Sequence, residues 1–508
     1  MIPRSCREVK STRYIVDTGY AQYQGNRSFE NTVAYLGIPY AEPPLPLDTT
    51  RVSEEAGGQV VDATEYPNFC VQGSIGEGDA GGAGTEDCLK LNVYAPFGAK
   101  TGDKRYVFGN PANWPFDGWI HQSPNVVVVS VYYRLDSFGF LALPEFSDPA
   151  NGDFNVGFQD QIQALRWVKS HIVSFGGDPD KVTINGQSAG AGSVELHLIT
   201  DLGESLFSGA IAQSVYRTPT PTPEQQEPLF AFYAEAAGCG DGSVSEQLRC
   251  LRNASISALA RAQDAAASNA TLAYNAFHPV VDGKLITDAP SSLILQGKFA
   301  KVPLIVGSTS NETLFGGTNF TETLQLAFPQ LTQTDLEGFV QEYPLSEFDS
   351  PSQQFQVATG ESILICAREI MGGAFANRTK AWTYRYNQPN PTSGTTAVEH
   401  AAENWMMFNG TGTFTAMTPV EQAFAAELIA YWLSFVRSGD PNTFKLERSP
   451  SWDGYFTTGK SLKERIVLQQ AGDNENPTTE SGNFIEMEPV VESGRCAFVA
   501  TKAEHEQN

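Results

Sequence analysis

The sequence predicts an α/β protein with a large, mostly parallel central sheet flanked by helices. Its 508 residues, 41% of them hydrophobic, can bury a sizeable core. Strand-type and helix-type apolar patterns alternate along the first half, and such alternation produces right-handed crossovers between parallel strands. No fixed-period repeat interrupts it. We expect one domain over residues 12–495 with helical insertions, and flexible termini at 1–11 and 496–508.

The first half provides the clearest elements. Residues 89–94 alternate apolar and polar side chains, and residues 126–133 form a β-branched run typical of a strand buried on both faces. Residues 157–172 carry apolar side chains at helical spacing. Residues 181–185 then predict a short strand, and residues 191–200 predict a helix.

The second half is less regular. Residues 217–223 read RTPTPTP and predict a stiff linker. Two regions are predicted to be helical, residues 224–300 and 320–380. Residues 301–307 and 382–386 predict strands, and residues 418–437 predict a long amphipathic helix.

Composition excludes several classes of protein. Only 18% of residues are charged and 11% are aromatic, which excludes a disordered chain. The net charge of −25 argues against nucleic-acid partners, since phosphates need Lys and Arg. No apolar run approaches the roughly 20 residues of a transmembrane helix. Although no signal peptide is visible, seven N-x-S/T sites and the cysteine spacing favour a secreted glycoprotein, as a monomer or homodimer.

The strongest motif is residues 186–190 (GQSAG), which has the form G-x-S-x-G between a predicted strand and a predicted helix. A serine on such a sharp turn has its hydroxyl free to attack, and the helix N-terminus favours developing negative charge. We expect both glycines to remove Cβ atoms that would collide. The alternative is a glycine-rich connecting turn.

A serine nucleophile needs a general base, and the chain has six histidines. We favour His400, which follows the predicted strand at 382–386, because the base of this motif comes late in the chain. Of the other histidines, His505 lies in a polar tail, and His171 and His197 lie on predicted helices. His121 precedes a predicted strand and His278 precedes a proline.

The acid candidate is Glu312, a few residues beyond the predicted strand at 301–307. A carboxylate there would fix the tautomer of His400 and stabilise its imidazolium. A surface acid in a turn is the alternative reading. Asp282 is a lower-ranked rival, because Asp-Gly is a common turn dipeptide. Asn311 is formally a glycosylation site, but we expect it unmodified because a glycan there would block the site.

Two nucleotide-binding patterns are rejected. Residues 454–461 (GYFTTGKS) have the phosphate-loop form, but no strand precedes them and residues 466–468 look like a strand instead of the required helix. Residues 76–81 match G-x-G-x-x-G within an acidic loop that would repel pyrophosphate. No metal-binding motif occurs, so we expect neither a cofactor nor a metal.

Two pairs among the seven cysteines, Cys70/Cys88 and Cys239/Cys250, flank loops rich in Gly, Asp and Ser. A crosslink in such loops typically stabilises by about 2–4 kcal/mol. Spacing leaves open whether the pairs are disulfides or free thiols. An odd total leaves at least one free thiol in a monomer. The remaining three cysteines carry no assignment.

These segments together resemble the type-B carboxylesterase/lipase family, the cholinesterase-like α/β-hydrolases, and are closest to fungal secreted members. The matching segments run over most of the chain: 37–44 (GIPYAEPP), 86–94 (EDCLKLNVY), 133–135 (YRL), 138–141 (FGFL), 175–179 (FGGDP), 182–190 (VTINGQSAG) and 439–442 (GDPN).

The resemblance implies the α/β-hydrolase fold and hydrolysis of small-molecule or lipid carboxylic esters through an acyl-enzyme. Ser188 is then the nucleophile, His400 the base and Glu312 the acid, with the Ala189 N–H in the oxyanion hole. It further implies disulfides Cys70–Cys88 and Cys239–Cys250, and ion pairs Glu86–Arg51 and Asp160–Arg134. Three aromatic residues either line the cleft that leads to the serine or pack in the core: Trp114, Phe116 and Trp119.

One departure from the family opens a second hypothesis. Members carry an apolar strand ending in His-Gly-Gly shortly before the segment that begins here at Tyr106, whereas residues 101–105 run straight into Tyr106. Those glycines supply oxyanion donors, and losing one donor typically costs about 10²–10³ in turnover. The alternative function is a catalytically impaired or inactive cholinesterase-like protein. A smaller departure is Asp136 in place of a glycine.

Overall fold

Two six-stranded sheets form the centre of the molecule. The computed structural model describes residues 14–43, 60–72, 84–97, 114–313, 316–317, 319–390, 396–408, 417–456, 463–472 and 479–508. The strands are β1 (Ile15–Asp17), β2 (Gln22–Phe29), β3 (Thr32–Pro39), β4 (Val60–Ala63), β5 (Lys90–Pro96), β6 (Val128–Val131), β7 (Thr183–Gln187), β8 (Gly209–Gln213), β9 (Leu304–Thr309), β10 (Ala381–Tyr386), β11 (Glu464–Leu468) and β12 (Phe484–Met487).

The helices cover the sheets. They are α1 (Asp117–Gln122), α2 (Asp136–Phe140), α3 (Val156–His171), α4 (Ala189–Ile199), α5 (Glu227–Ala236), α6 (Val244–Asn253), α7 (Ile256–Ala267), α8 (Pro290–Leu295), α9 (Phe320–Ala327), α10 (Gln333–Glu342), α11 (Pro351–Gly360), α12 (Cys366–Ala376), α13 (Ala402–Met407), α14 (Pro419–Ser438), α15 (Val490–Ala500) and α16 (Ala503–Glu506).

The sheet that carries the site is parallel. Its order is β12-β11-β10-β9-β8-β7, and only β12 pairs antiparallel. The other sheet, ordered β1-β2-β3-β5-β6 with β4 beside β2, pairs antiparallel except for β2 with β4. Parallel strands all end at one edge of a sheet, so loops after β7, β9 and β10 meet there.

Most predicted elements are confirmed within a few residues. The helix predicted at 157–172 is α3, the short strand at 181–185 is β7, and the long helix at 418–437 is α14. The start of α14 follows from its capping box, in which the Thr418 and Glu421 side chains each accept a hydrogen bond from the other's backbone N–H. The region predicted as helical over 224–300 has no helix at 268–289, where Pro279 and the Asp282 turn break it.

Two apolar layers lie on opposite faces and extend across both sheets. One layer includes Val129 of β6 and Ile184 of β7, and the other includes Val128 of β6 and Ile211 of β8. β6 and β7 are the edge strands of their sheets, and all four residues of β6 are buried. Among the described residues, no further strand pairs with either edge. The deletion predicted before Tyr106 lies outside the described residues.

The predicted linker at 217–223 is wrong. Arg217 and Thr220 are buried. The Arg217 N–H donates to the Ile363 carbonyl, and the Thr220 N–H donates to the Gln507 carbonyl. Repeated proline only excludes regular helix and strand. The segment is therefore a packed wall of the domain.

The expected flexible C-terminus is also wrong for residues 496–508. They continue α15 and form α16, and Cys496 bonds to Cys366 of α12. Glu506 and Asn508 are buried. The polar composition of this segment gives no sign of these contacts, because they are made with residues more than one hundred positions away. The segment at 1–11 lies outside the described residues.

The implied crosslinks are present. Disulfides join Cys70 to Cys88 and Cys239 to Cys250. Arg134 and Asp160 form a buried ion pair, in which Asp160 accepts from the Arg134 backbone N–H, Nε and Nη2 at 3.1, 2.8 and 2.8 Å. Arg51, the implied partner of Glu86, lies outside the described residues.

Candidate active site

The turn at residues 186–190 joins β7 to α4 under backbone strain. Ser188 adopts φ 58° and ψ −123°, a conformation that L-residues rarely adopt. A Cβ on Gly186 would lie 2.2 Å from the Gly190 carbonyl oxygen, so only glycine fits at this position. No atom of the described residues lies within 4 Å of a Cβ built on Gly190, so within the described part of the chain the expected collision is found at Gly186 and not at Gly190.

The three predicted polar residues meet at the carboxyl edge of the parallel sheet. The Ser188 Oγ lies 2.7 Å from His400 Nε2, and the Glu312 Oε2 lies 2.6 Å from His400 Nδ1. Ser188 follows β7, Glu312 follows β9 and His400 follows β10. Ser188 is half-buried and Ala189 is exposed, so the turn lies near the surface of the described part of the chain.

The Glu312 side chain is fully buried and held from two directions. Its Oε1 accepts a hydrogen bond from the Thr309 N–H at 2.8 Å. A Cβ on Gly360, the last residue of α11, would lie 1.9 Å from the Glu312 carbonyl oxygen. Because Gly360 has no side chain, α11 can pack directly against the backbone of Glu312. Sequence reasoning missed Gly360, because a single glycine within a helix carries no such signal.

The electrostatics favour a basic imidazole. Burial lowers the pKa of His400, but the hydrogen bond that its Nδ1–H donates to Glu312 and the charges of Glu312 and Glu403 outweigh this effect, so the pKa of His400 is raised. Glu403 lies on α13, three residues after His400, and is buried. Burial and the Glu312 charge raise the pKa of Glu403 to about 7. Sequence reasoning missed this second carboxyl beside the imidazole.

Ala189 is the first residue of α4. The first four amides of a helix have no intrahelical acceptor and carry the positive end of its dipole. The Ala189 N–H is therefore available to an anion beside Ser188, which is where the sequence predicts an oxyanion donor.

The other histidines and the rival acid have different roles. Asp282 Oδ1 accepts from three successive backbone N–H groups, those of Lys284, Leu285 and Ile286, so it shapes a turn. The remaining imidazoles contact other groups: His121 contacts Asn31, His171 packs on Trp167, His197 contacts Gln161, His278 lines a cavity and His505 pairs with Asp335.

The predicted aromatic cluster packs mainly as core. Phe116 and Trp119 are buried, and Trp119 donates to the Met407 carbonyl at 2.7 Å. Trp114 is half-buried, with its ring centroid 5.2 Å from that of Phe408. The cluster supports α13, the helix that follows His400.

The rejected nucleotide motifs stay without support. The residues after 454–461 form β11, a strand, as predicted. Residues 76–81 lie outside the described residues. In the part of the chain that the structure describes, no group of three or more His, Cys, Asp or Glu side chains is placed to hold a metal. No helix among the described residues is long and apolar enough to cross a membrane.

The fold and the convergence of serine, histidine and glutamate define the class as an α/β-hydrolase. The chain belongs to the carboxylesterase family, whose profile matches residues 12–485, and it is a carboxylic ester hydrolase.

Curated relatives and a solved structure agree with this assignment. Acetylcholinesterase of Danio rerio is 27% identical over 84% of this chain and 80% of that protein. Acetylcholinesterase of Bungarus fasciatus is 28% identical over 83% and 77%. The crystal structure of Aspergillus niger EstA superposes with a TM-score of 0.85 at 28% identity, covering 98% of this chain and 99% of that one.

Proposed function

We propose that the chain hydrolyses uncharged carboxylic esters through an acyl-enzyme formed on Ser188. The observation that carries the proposal is the continuous hydrogen-bonded chain from Ser188 Oγ through His400 to the buried Glu312 carboxylate. With Nδ1–H donating to Glu312, His400 Nε2 is free to accept the serine proton. Ser188 Oγ then bonds to the ester carbonyl carbon.

The tetrahedral oxyanion formed by this attack accepts a hydrogen bond from the Ala189 N–H. As it collapses, the C–O bond breaks and His400 gives its proton to the leaving alcohol. Water, deprotonated by the same Nε2, attacks the acyl-enzyme and releases the acid. Glu312 stays ionised and stabilises the imidazolium in both steps. No cofactor enters either step.

Hydrolysis of p-nitrophenyl butyrate by the purified chain tests this proposal. We expect Ser188→Ala to lower kcat by at least about 10³, whereas Ser170→Ala, an exposed serine of α3 that bonds only its own helix, keeps it unchanged. Equal rates for the chain and Ser188→Ala would overturn the proposal.

The impaired-enzyme alternative rests on the glycine pair absent before Tyr106 in the sequence. A fluorophosphonate probe separates the two functions, because it reports a nucleophilic serine. Labelling that depends on Ser188, together with turnover no faster than that of Ser188→Ala, would favour the alternative.

We further propose that the protein is secreted and glycosylated. Disulfides persist in oxidising compartments, and four of the sequon asparagines other than Asn311 are exposed: Asn26, Asn253, Asn319 and Asn377. A mass decrease on treatment of the secreted protein with an N-glycosidase tests the glycans. An unchanged mass would contradict their presence.

A further inference from the structure

A cavity of about 480 Å³ begins beside the reactive serine and extends along α4. Ala189, Gly192, Ser193 and Leu196 line it from one helix face, and Tyr216 to Thr220 form an opposite wall. The Tyr216 N–H donates to the Ser188 carbonyl at 3.3 Å, so this wall starts at the serine itself. The volume lies within the range typical of small-molecule sites, about 300–1,000 Å³.

The lining of this cavity includes a buried acid and a buried guanidinium. Glu195 and Arg217 both line it and are only 3% and 2% exposed. Arg217 Nη1 donates to Ser291 Oγ, and Nη2 donates to the Ser362 carbonyl, which fixes the orientation of the guanidinium. Its Nε–H and the Glu195 Oε1 have no hydrogen-bond partner among the described residues.

The two groups interact through their charges without a direct bond in the described part of the chain. Burial raises the pKa of Glu195 to about 7, although Arg217 opposes the shift. Burial lowers the pKa of Arg217, opposed by the charges of Glu195 and Glu506. Leaving a buried donor or acceptor unpaired costs about 1–3 kcal/mol. A neutral ligand oxygen that reached both groups would donate to one and accept from the other without adding charge.

The distance between Ser188 and Glu195 along α4 indicates the length of the ligand. Glu195 lies seven residues along the helix axis from Ser188, which is about 10 Å at ~1.5 Å per residue. A saturated chain of about eight carbons approaches this length, because its seven C–C bonds of ~1.5 Å together advance about 9 Å along an extended zigzag. The walls between are largely apolar, with Leu135, Phe140, Leu196, Pro219 and Phe277.

Resting on the proposed function, we propose that this cavity binds the acyl chain of the ester and that Glu195 and Arg217 select a chain of about eight carbons ending in a hydroxyl group. The hydroxyl donates to the Glu195 carboxyl and accepts from the Arg217 Nε–H. Glu195 and Arg217 are specificity residues, and the chemistry at Ser188 stays the same.

The test compares kcat/KM for p-nitrophenyl 8-hydroxyoctanoate and p-nitrophenyl octanoate. We expect the native chain to prefer the hydroxylated ester about tenfold, the equivalent of one hydrogen bond. Glu195→Leu brings the ratio close to one. Glu361→Gln, a buried acid outside this cavity that bonds Tyr343, leaves the ratio unchanged. A ratio that is the same in the native chain and Glu195→Leu would overturn the subsite.

A binding measurement separates this inference from the proposed function. Calorimetry on Ser188→Ala compares methyl 8-hydroxyoctanoate with methyl octanoate, and neither needs turnover. Tighter binding of the hydroxylated ester, lost on adding Glu195→Leu, supports the subsite even if the native chain is inactive. Equal binding of both esters would overturn it. A preference that appears only for esters of 1,8-octanediol over esters of octan-1-ol would also overturn it, because the cavity would then hold the alcohol.

Discussion

Two hydrogen bonds join Asn311 and Val398, one donated by each backbone N–H. The Asn311 N–H donates to the Val398 carbonyl at 3.0 Å, and the Val398 N–H donates to Asn311 Oδ1 at 2.9 Å. Asn311 precedes the acid and Val398 lies two residues before His400. The pair therefore sets the distance between two loops that carry the imidazole and its carboxylate.

The first prediction concerns this clamp. Asn311→Ala removes the acceptor of the Val398 N–H, so the His400 loop loses its fixed position. We expect kcat to fall about tenfold with KM nearly unchanged, because orientation is lost. Thr313→Ala is the matched control, since it destroys the glycosylation site but retains the Asn311 side chain. An equal loss in Thr313→Ala would show that a glycan, and not the clamp, matters.

The second prediction concerns the acid residue. Glu312→Gln keeps the size of the side chain but removes the charge that faces His400 Nδ1. We expect kcat on p-nitrophenyl butyrate to fall by about 10³–10⁴, as when the acid of such a triad becomes an amide. Fluorophosphonate labelling slows in parallel. A loss below tenfold would contradict the role of Glu312.

The third prediction concerns pH. His400 accepts a proton only when neutral, so kcat/KM falls as the pH drops through its pKa, which lies above the ordinary value of 6.5. Glu403 contributes to this rise, so Glu403→Gln moves the acid limb of kcat/KM to lower pH. Glu399→Gln, an exposed acid next to His400, moves it less. A limb unchanged by Glu403→Gln would contradict the coupling.

The fourth prediction concerns the crosslink between Cys366 and Cys496, which are 130 positions apart. Loop-closure entropy predicts that replacing both with serine lowers the free energy of unfolding by about 5 kcal/mol, against about 3 kcal/mol for Cys239 and Cys250. The latter pair is separated by only 11 positions. Denaturant unfolding of the two double variants checks the order. The reverse order would contradict it.

The fifth prediction concerns the Arg134–Asp160 pair. Asp160→Ala leaves a buried guanidinium facing only part of its counter-charge, because Glu86 also acts on Arg134. We expect a loss of about 3–5 kcal/mol in the free energy of unfolding. Arg166→Ala, which breaks an exposed pair with Glu204, costs no more than about 1 kcal/mol. Equal losses in the free energy of unfolding for the two variants would show that burial of the Arg134–Asp160 pair does not increase its contribution.

Much of the site was predictable because its signals are local. The strand, turn and helix around Ser188 each have a short-range pattern. The apolar start of β9 is visible in the sequence, and β9 ends shortly before Glu312. β10 ends at Tyr386, well before His400. The resemblance of the family segments then implied a role for each of these residues. The odd cysteine count and the two spaced pairs were equally visible in the chain.

The sequence by itself thus determined the α/β class and predicted that Ser188, His400 and Glu312 belong to one site. Only the tertiary structure decided the Cys366–Cys496 bond, the contact of Gly360 with Glu312, and the buried Glu195 and Arg217 beside one cavity. These depend on residues brought together by packing across distant segments. Short-range hydrophobic periodicity reports which face of an element is buried, but not which distant group it meets.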